Sequence, residues 1–143
     1  SVKPDQGVVN SRGIIGITNS VSKNYATVLS ILNEESKINV KLLKSHYFGS
    51  LDWNGDDYNI LQLNDFPIQA NVKVGDTIIT GGKSTIFPEG VLVGTILDFN
   101  KENNTYRKID IKLFNDMSAI GPVNVITSFD KDEVEDLQQG LYY

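Results

Sequence analysis

Lys108-Ile109-Asp110-Ile111-Lys112-Leu113 alternates charged and apolar side chains without a break. Successive residues of an extended chain point to opposite faces, so Ile109, Ile111 and Leu113 share one side and the charges share the other. The segment predicts a strand with one face in a core and one in water. Ile38-Asn39-Val40-Lys41-Leu42 repeats the pattern, and Thr77-Ile78-Ile79-Thr80 is rich in the β-branched residues that a pleated surface favours.

Working outward, similar runs lie at Gly7–Val9, Gly13–Thr18, Ala26–Leu32, Tyr58–Leu63, Val91–Leu97, Tyr106–Phe114 and Val123–Thr127. Turn residues separate them, which predicts an all-β chain. Asn54-Gly55 has the sequence of a type I′ hairpin turn, and Lys101–Asn104 supplies another connection. Asp65–Asn71 lacks alternation and carries Pro67, marking a crossing between two halves. Only Asp130–Gln139 reads as helical, with Asp130 as a candidate N-cap; a solvated acidic tail over 130–143 is the alternative.

The 143 residues suit one ordinary domain or two small ones, and 40% apolar with 22% charged residues is the composition of a folding chain. A net charge of −5 argues against nucleic acid as partner, because binding phosphates requires clustered Lys and Arg. With no cysteine, disulfides, thiolate nucleophiles and zinc ribbons are excluded. The chain starts at Ser1 rather than Met and contains no long apolar run, so it reads as a fragment, from which any membrane anchor or targeting segment could have been cut.

Three local patterns suggest chemistry and then fail. Gly81-Gly82-Lys83-Ser84 ends like a phosphate-binding loop, but Thr77 stands where the first glycine belongs and Pro88 interrupts the helix that should follow. Asp52–Asp57 spaces carboxylates as a calcium loop does, but Gly55 is misplaced and Leu63 occupies the position of the bidentate glutamate. His46 is the only imidazole and has no nucleophile signature beside it. No catalytic, cofactor or metal residue is therefore assigned. Trp53 beside the Asn54-Gly55 turn, with Tyr47 and Phe48, is the candidate partner-contact surface, since exposed Trp is enriched in interface hot spots.

Asp5-Gln6-Gly7-Val8-Val9, then Val74–Gly82 with its Gly75-Asp76 and Gly81-Gly82, then Phe87-Pro88-Glu89-Gly90 running into Val91-Leu92-Val93-Gly94-Thr95-Ile96 occur in a specific order. Together these motifs resemble the bacterial rod shape-determining MreC family, over about residues 5–127. Gly81 replaces the family's usual Ser, and Gly121-Pro122 before the last strand is less typical. Read physically, Asp5, Gly7, Gly75, Asp76, Gly81, Pro88, Gly90 and Gly94 are turn-makers and close-approach positions rather than chemistry.

The resemblance implies two small six-stranded β-barrels, distantly like chymotrypsin-type barrels without catalytic residues. The expected division is 1–18 with 73–129 against 19–72. It further implies a non-catalytic scaffold outside the cytoplasmic membrane, preceded in the full protein by a membrane helix and a coiled coil through which it self-associates. The implied partners are MreD, a penicillin-binding transpeptidase and, through the complex, RodA and MreB in cell-wall elongation, with no cofactor. Two other classes remain open. A hydrolase would need His46 within hydrogen-bond reach of a hydroxyl, and a small-molecule barrel would need an interior cavity of roughly 300 Å³.

Overall fold

The computed structural model describes residues 2–127. Its strands are β1 (Gly7–Asn10), β2 (Gly13–Val21), β3 (Ala26–Ser30), β4 (Ile38–Leu42), β5 (Phe48–Asp52), β6 (Ile60–Asn64), β7 (Thr77–Thr80), β8 (Leu92–Glu102), β9 (Thr105–Leu113) and β10 (Asn124–Val125). The sole helical turn among the described residues is a 3₁₀ turn over Ile68–Ala70. The proposed helix at Asp130–Gln139 and the acidic tail lie outside the described residues.

Six strands close into a barrel in the order β4-β5-β6-β9-β8-β7, and the rest form a four-stranded antiparallel sheet in the order β10-β1-β2-β3. Two barrels were expected; one closed barrel and a sheet are observed. The hydrogen-bonded grouping also departs from the expected 1–18/73–129 and 19–72 division. β4 pairs with β7 and β6 with β9, while β1 pairs with β2 and β10. The Asp65–Asn71 segment accordingly crosses from β6 to β7 within the barrel, ending on Asn71 with φ of 51°, rather than linking two halves.

The opening hexapeptide lies in β9, whose Ile109, Ile111 and Leu113 are buried in the core. Its outward side is less wet than alternation implies. Asp110 is buried too, flanked by Gln62 on β6 and Asp98 on β8 and ion-paired to Lys108 at 3.2 Å. β5 has no counterpart among the expected runs, because Phe48-Gly49-Ser50-Leu51-Asp52 buries only Leu51.

Asn54-Gly55 makes no two-residue hairpin. β5 and β6 register Asp52 against Gln62, leaving 53–59 as a longer loop with Gly55 at φ 84°. The tight left-handed turn belongs instead to Asn103 and Asn104, at φ 53° and 60°, between the paired residues Glu102 and Thr105. Both asparagines occupy the positive-φ positions of a type I′ turn, which Asn tolerates better than other side-chain-bearing residues.

One continuous hydrophobic cluster joins the two parts: Val9, Ile14 and Ile31 of the sheet side pack with Val40, Leu51, Leu61, Ile78 and Ile111 of the barrel. A polar clasp reinforces the junction. The Asn10 and Asn115 amides exchange hydrogen bonds of 2.8 and 3.0 Å, and Asn115 also donates to the Ile14 carbonyl at 3.2 Å.

Candidate functional site

The three motifs meet in space at the joint between sheet and barrel. Phe87 is 2% exposed and lies against Gly7, where a Cβ would come within 2.6 Å of its ring. Only a residue without a side chain lets β1 approach that ring so closely. From the other side, the buried Thr80 hydroxyl donates to the Pro88 carbonyl at 2.6 Å and accepts the Val91 N–H at 2.8 Å. Thr80 also takes the Gly90 N–H on its carbonyl at 3.1 Å. One side chain of the second motif thus ties down both ends of the Pro88-Glu89-Gly90 turn.

Gly75 sits at φ 92° in a turn closed by the Asp76 N–H on the Lys73 carbonyl at 3.0 Å. That is the third position of a type II turn, which demands positive φ. Asp76 stabilises it by accepting the Lys73 N–H and pairing with Lys44, both at 2.8 Å. Gly94 lies where a Cβ would run into the Lys112 carbonyl across β8 and β9. Asp5 holds φ 60° while donating its N–H to the Thr18 carbonyl at 2.8 Å. Gly81 donates its N–H to the Asn39 carbonyl at 2.9 Å and backs onto the Phe48 ring, leaving no room for a larger residue.

The three aromatics proposed for partner contact do not form one surface. Tyr47 precedes β5, Phe48 begins it and Trp53 follows its end, roughly 16 to 20 Å away at about 3.3 Å per residue. Tyr47 is exposed, and the Phe48 ring carries the Lys83 ammonium at 4.1 Å. Trp53 folds partly onto the core; its indole N–H donates to the Asp57 carbonyl at 2.9 Å and its ring stacks on Tyr58 with centroids 5.9 Å apart.

Trp53 instead belongs to a different group. Tyr58, 66% exposed, borders a depression of about 230 Å³ together with Leu32, Met117 and Ser118. Leu32 and Met117 pack against the core from the segments that follow β3 and β9. The 53–59 loop touches the sheet side directly, since Gly55 abuts the Glu34 carboxylate. Tyr58, Leu32 and Met117 therefore line an apolar seam where barrel and sheet meet, with Trp53 stacked against Tyr58. The sequence pattern placed Tyr58 at the head of a strand; the signal that could have found it is a tyrosine just outside an acidic loop, followed by an alternating run.

His46 is exposed in the β4–β5 turn, and among the described residues no Ser or Thr hydroxyl is hydrogen-bonded to its imidazole. The barrel axis is filled by Val40, Leu42, Leu51, Leu61, Ile78 and Ile111, each 1% exposed or less. Asp116, at the rim of the seam, has its carboxyl held below the usual carboxylate range, first by the Ser118 hydroxyl at 2.6 Å and then by the Ser118 N–H.

The family model described as rod shape-determining protein MreC, barrel core, matches residues 1–127. The cell shape-determining protein MreC of Listeria monocytogenes is 31% identical over 98 residues, covering 66% of this chain and 33% of that protein. The chain thus spans about a third of the length of that curated relative. A solved MreC structure from the same organism superposes with a TM-score of 0.79 at 27% identity, over 87% of this chain and 61% of the other. The complex between a penicillin-binding protein (PBP2) and MreC from Helicobacter pylori matches with a TM-score of 0.63 at 20% identity, over 78% and 70% of the two chains.

Proposed function

The chain belongs to the rod shape-determining MreC family, and from that premise we propose that it is a non-catalytic scaffold of the cell-wall elongation machinery, acting outside the cytoplasmic membrane. Its direct partners in this reading are MreD and a penicillin-binding transpeptidase, with RodA and MreB joined through the complex and the full-length protein anchored in the membrane. The observation that supports it best is the apolar seam of Tyr58, Leu32 and Met117, backed by Trp53, on a barrel whose interior is already filled. A protein of the same fold occurs in complex with PBP2. The four-stranded sheet, with register shifts between Val8 and Val9 and between Thr18 and Val21, is read as the open counterpart of a second barrel.

Titration of the chain against the extracytoplasmic part of its cognate penicillin-binding protein tests the scaffold role. Tyr58→Ala should weaken binding about tenfold or more, while Tyr47→Ala at the far end of β5 should leave it unchanged. The reverse order would move the contact to the Tyr47 and Phe48 end. Absence of binding by the parent chain would count against the scaffold role itself.

A further inference from the structure

We propose that Asn54 is a site of self-driven covalent modification, converted to aspartate and isoaspartate by the neighbouring backbone without an enzyme. The inference does not depend on the scaffold reading, although the same 53–59 loop carries Tyr58 to the seam.

Asn54-Gly55 is the sole Asn-Gly pair in the chain. It builds no two-residue hairpin, and both of its residues are exposed. Glycine is required here by shape, since φ is 84° and a Cβ would run into the Glu34 carboxylate. The same missing side chain leaves the Gly55 nitrogen unshielded beside the Asn54 side-chain amide.

The groups that the reaction needs are in place. The nucleophile is the Gly55 nitrogen, whose N–H has no hydrogen-bond partner among the described residues. The electrophile is Asn54 Cγ. Its Oδ1 accepts the Asp56 N–H at 3.0 Å, which folds the side-chain amide back over the Gly55 peptide group. That donor is aimed at the oxygen on which negative charge gathers as nitrogen adds to Cγ. The leaving NH2 of Asn54 is likewise unpartnered among the described residues. The loop holds this arrangement from both sides: the Asn54 N–H donates to Gln62 Oε1 at 2.8 Å, and the Trp53 indole to the Asp57 carbonyl at 2.9 Å. Asn10 makes the contrast. Its amide donates to Asn115, its Oδ1 accepts the Arg12 and Gly13 N–H groups, and Ser11 follows it.

In the first step the Gly55 nitrogen gives its proton to solvent and bonds to Cγ. The Cγ–Nδ2 bond breaks, and ammonia departs after taking a proton from solvent, leaving a cyclic imide. Water then opens the imide. Attack at the former side-chain carbonyl yields aspartate; attack at the backbone carbonyl yields isoaspartate, whose main chain runs through the side chain and is one carbon longer. One water is consumed and one ammonia released, with no oxidant or reductant. Either product adds a negative charge beside Asp56 and Asp57, and isoaspartate lengthens the backbone that sets Trp53 on Tyr58.

Incubation of the 143-residue chain in warm, mildly alkaline buffer, followed by peptide mapping, should show a gain of about one dalton at Asn54. The gain should come ahead of every other asparagine, with Asn10 unchanged, and an isoaspartate-specific methyltransferase should label the same peptide. Emission from Trp53, the only tryptophan, should change with the same time course and stay constant in Asn54→Gln, whose longer side chain closes the ring far more slowly. Asp56→Pro removes the donor to Oδ1, so it should keep the parent's melting temperature and slow conversion about tenfold. Unfolding the parent in urea should slow it too, because the turn is lost. Conversion of Asn54 no faster than that of the other asparagines would overturn the proposal, as would faster conversion in urea than in the folded chain. So would a folded Asp56→Pro variant that converts like the parent.

Discussion

The barrel and the sheet are both made from short strands rich in Val, Ile and Leu, which alternate along β4 and β9 but stand side by side at Val8-Val9, Ile14-Ile15 and Val28-Leu29 in the sheet, and the two parts end differently. In the barrel every strand has two neighbours, because β4 meets β7 and closes the ring. In the sheet, β3 has one neighbour, and its burial falls from the mostly buried pattern of β2 to near-complete exposure. Closure satisfies backbone groups that a free edge leaves to solvent or to a partner. What separates the regions at their edges is topology, and the joint of the three motifs holds the open part onto the closed one.

The largest expected effect breaks that joint. Phe87→Ala should cost about 3 to 5 kcal/mol, since it empties the place where β1 rests on the barrel. Urea unfolding followed by Trp53 fluorescence and by far-ultraviolet circular dichroism should still give a single transition, because one hydrophobic cluster spans both parts. Two separate transitions in the parent would mean that the sheet stands apart from the barrel. Thr80→Val comes next, at about 1 to 3 kcal/mol, because the buried Pro88 carbonyl and Val91 N–H lose their shared hydroxyl. Thermal melting measures it.

Tyr58→Ala sharpens the contrast from the exposed side. Its melting should stay within about 0.5 kcal/mol of the parent, since the ring is mostly in solvent. The smallest effect is at Asp116. Its folded carboxyl titrates below the unfolded one, so the stabilisation is present above the unfolded value and is lost as pH falls through the folded value. An NMR titration of this carboxylate should report the lowered value, and Ser118→Ala should move it back up.

Much of the fold was legible because period-two patterning is a local property. Thr77–Thr80 matches β7 to the residue, and the runs in 7–18, 38–43 and 106–114 fall on β1, β2, β4 and β9. β5 was missed because its neighbours, not its own sequence, recruit it: Gly49 and Ser50 offer no apolar alternation, yet β4 and β6 pair on both sides. The candidate site was legible only in part. Trp53 stacks on Tyr58 of the proposed seam, but its grouping with Tyr47 and Phe48 treated neighbours in sequence as neighbours in space. The strand between them carries the two ends apart, and Leu32 and Met117 come in from segments far along the chain to meet Tyr58 of Trp53's own loop.

The sequence by itself determined the all-β class, most strand positions, the turn residues and, through three ordered motifs, the family. Those are properties of short stretches, where side-chain alternation and the φ requirements of Gly75 and Gly90 act within a few residues. Only the tertiary structure decided which strands pair, that six of them close while four do not, and that Gly7, Thr80 and Phe87 form one joint. Pairing depends on contacts between residues distant in the chain, and the same alternating strand can lie inside a ring or at an open edge without any change in its own residues.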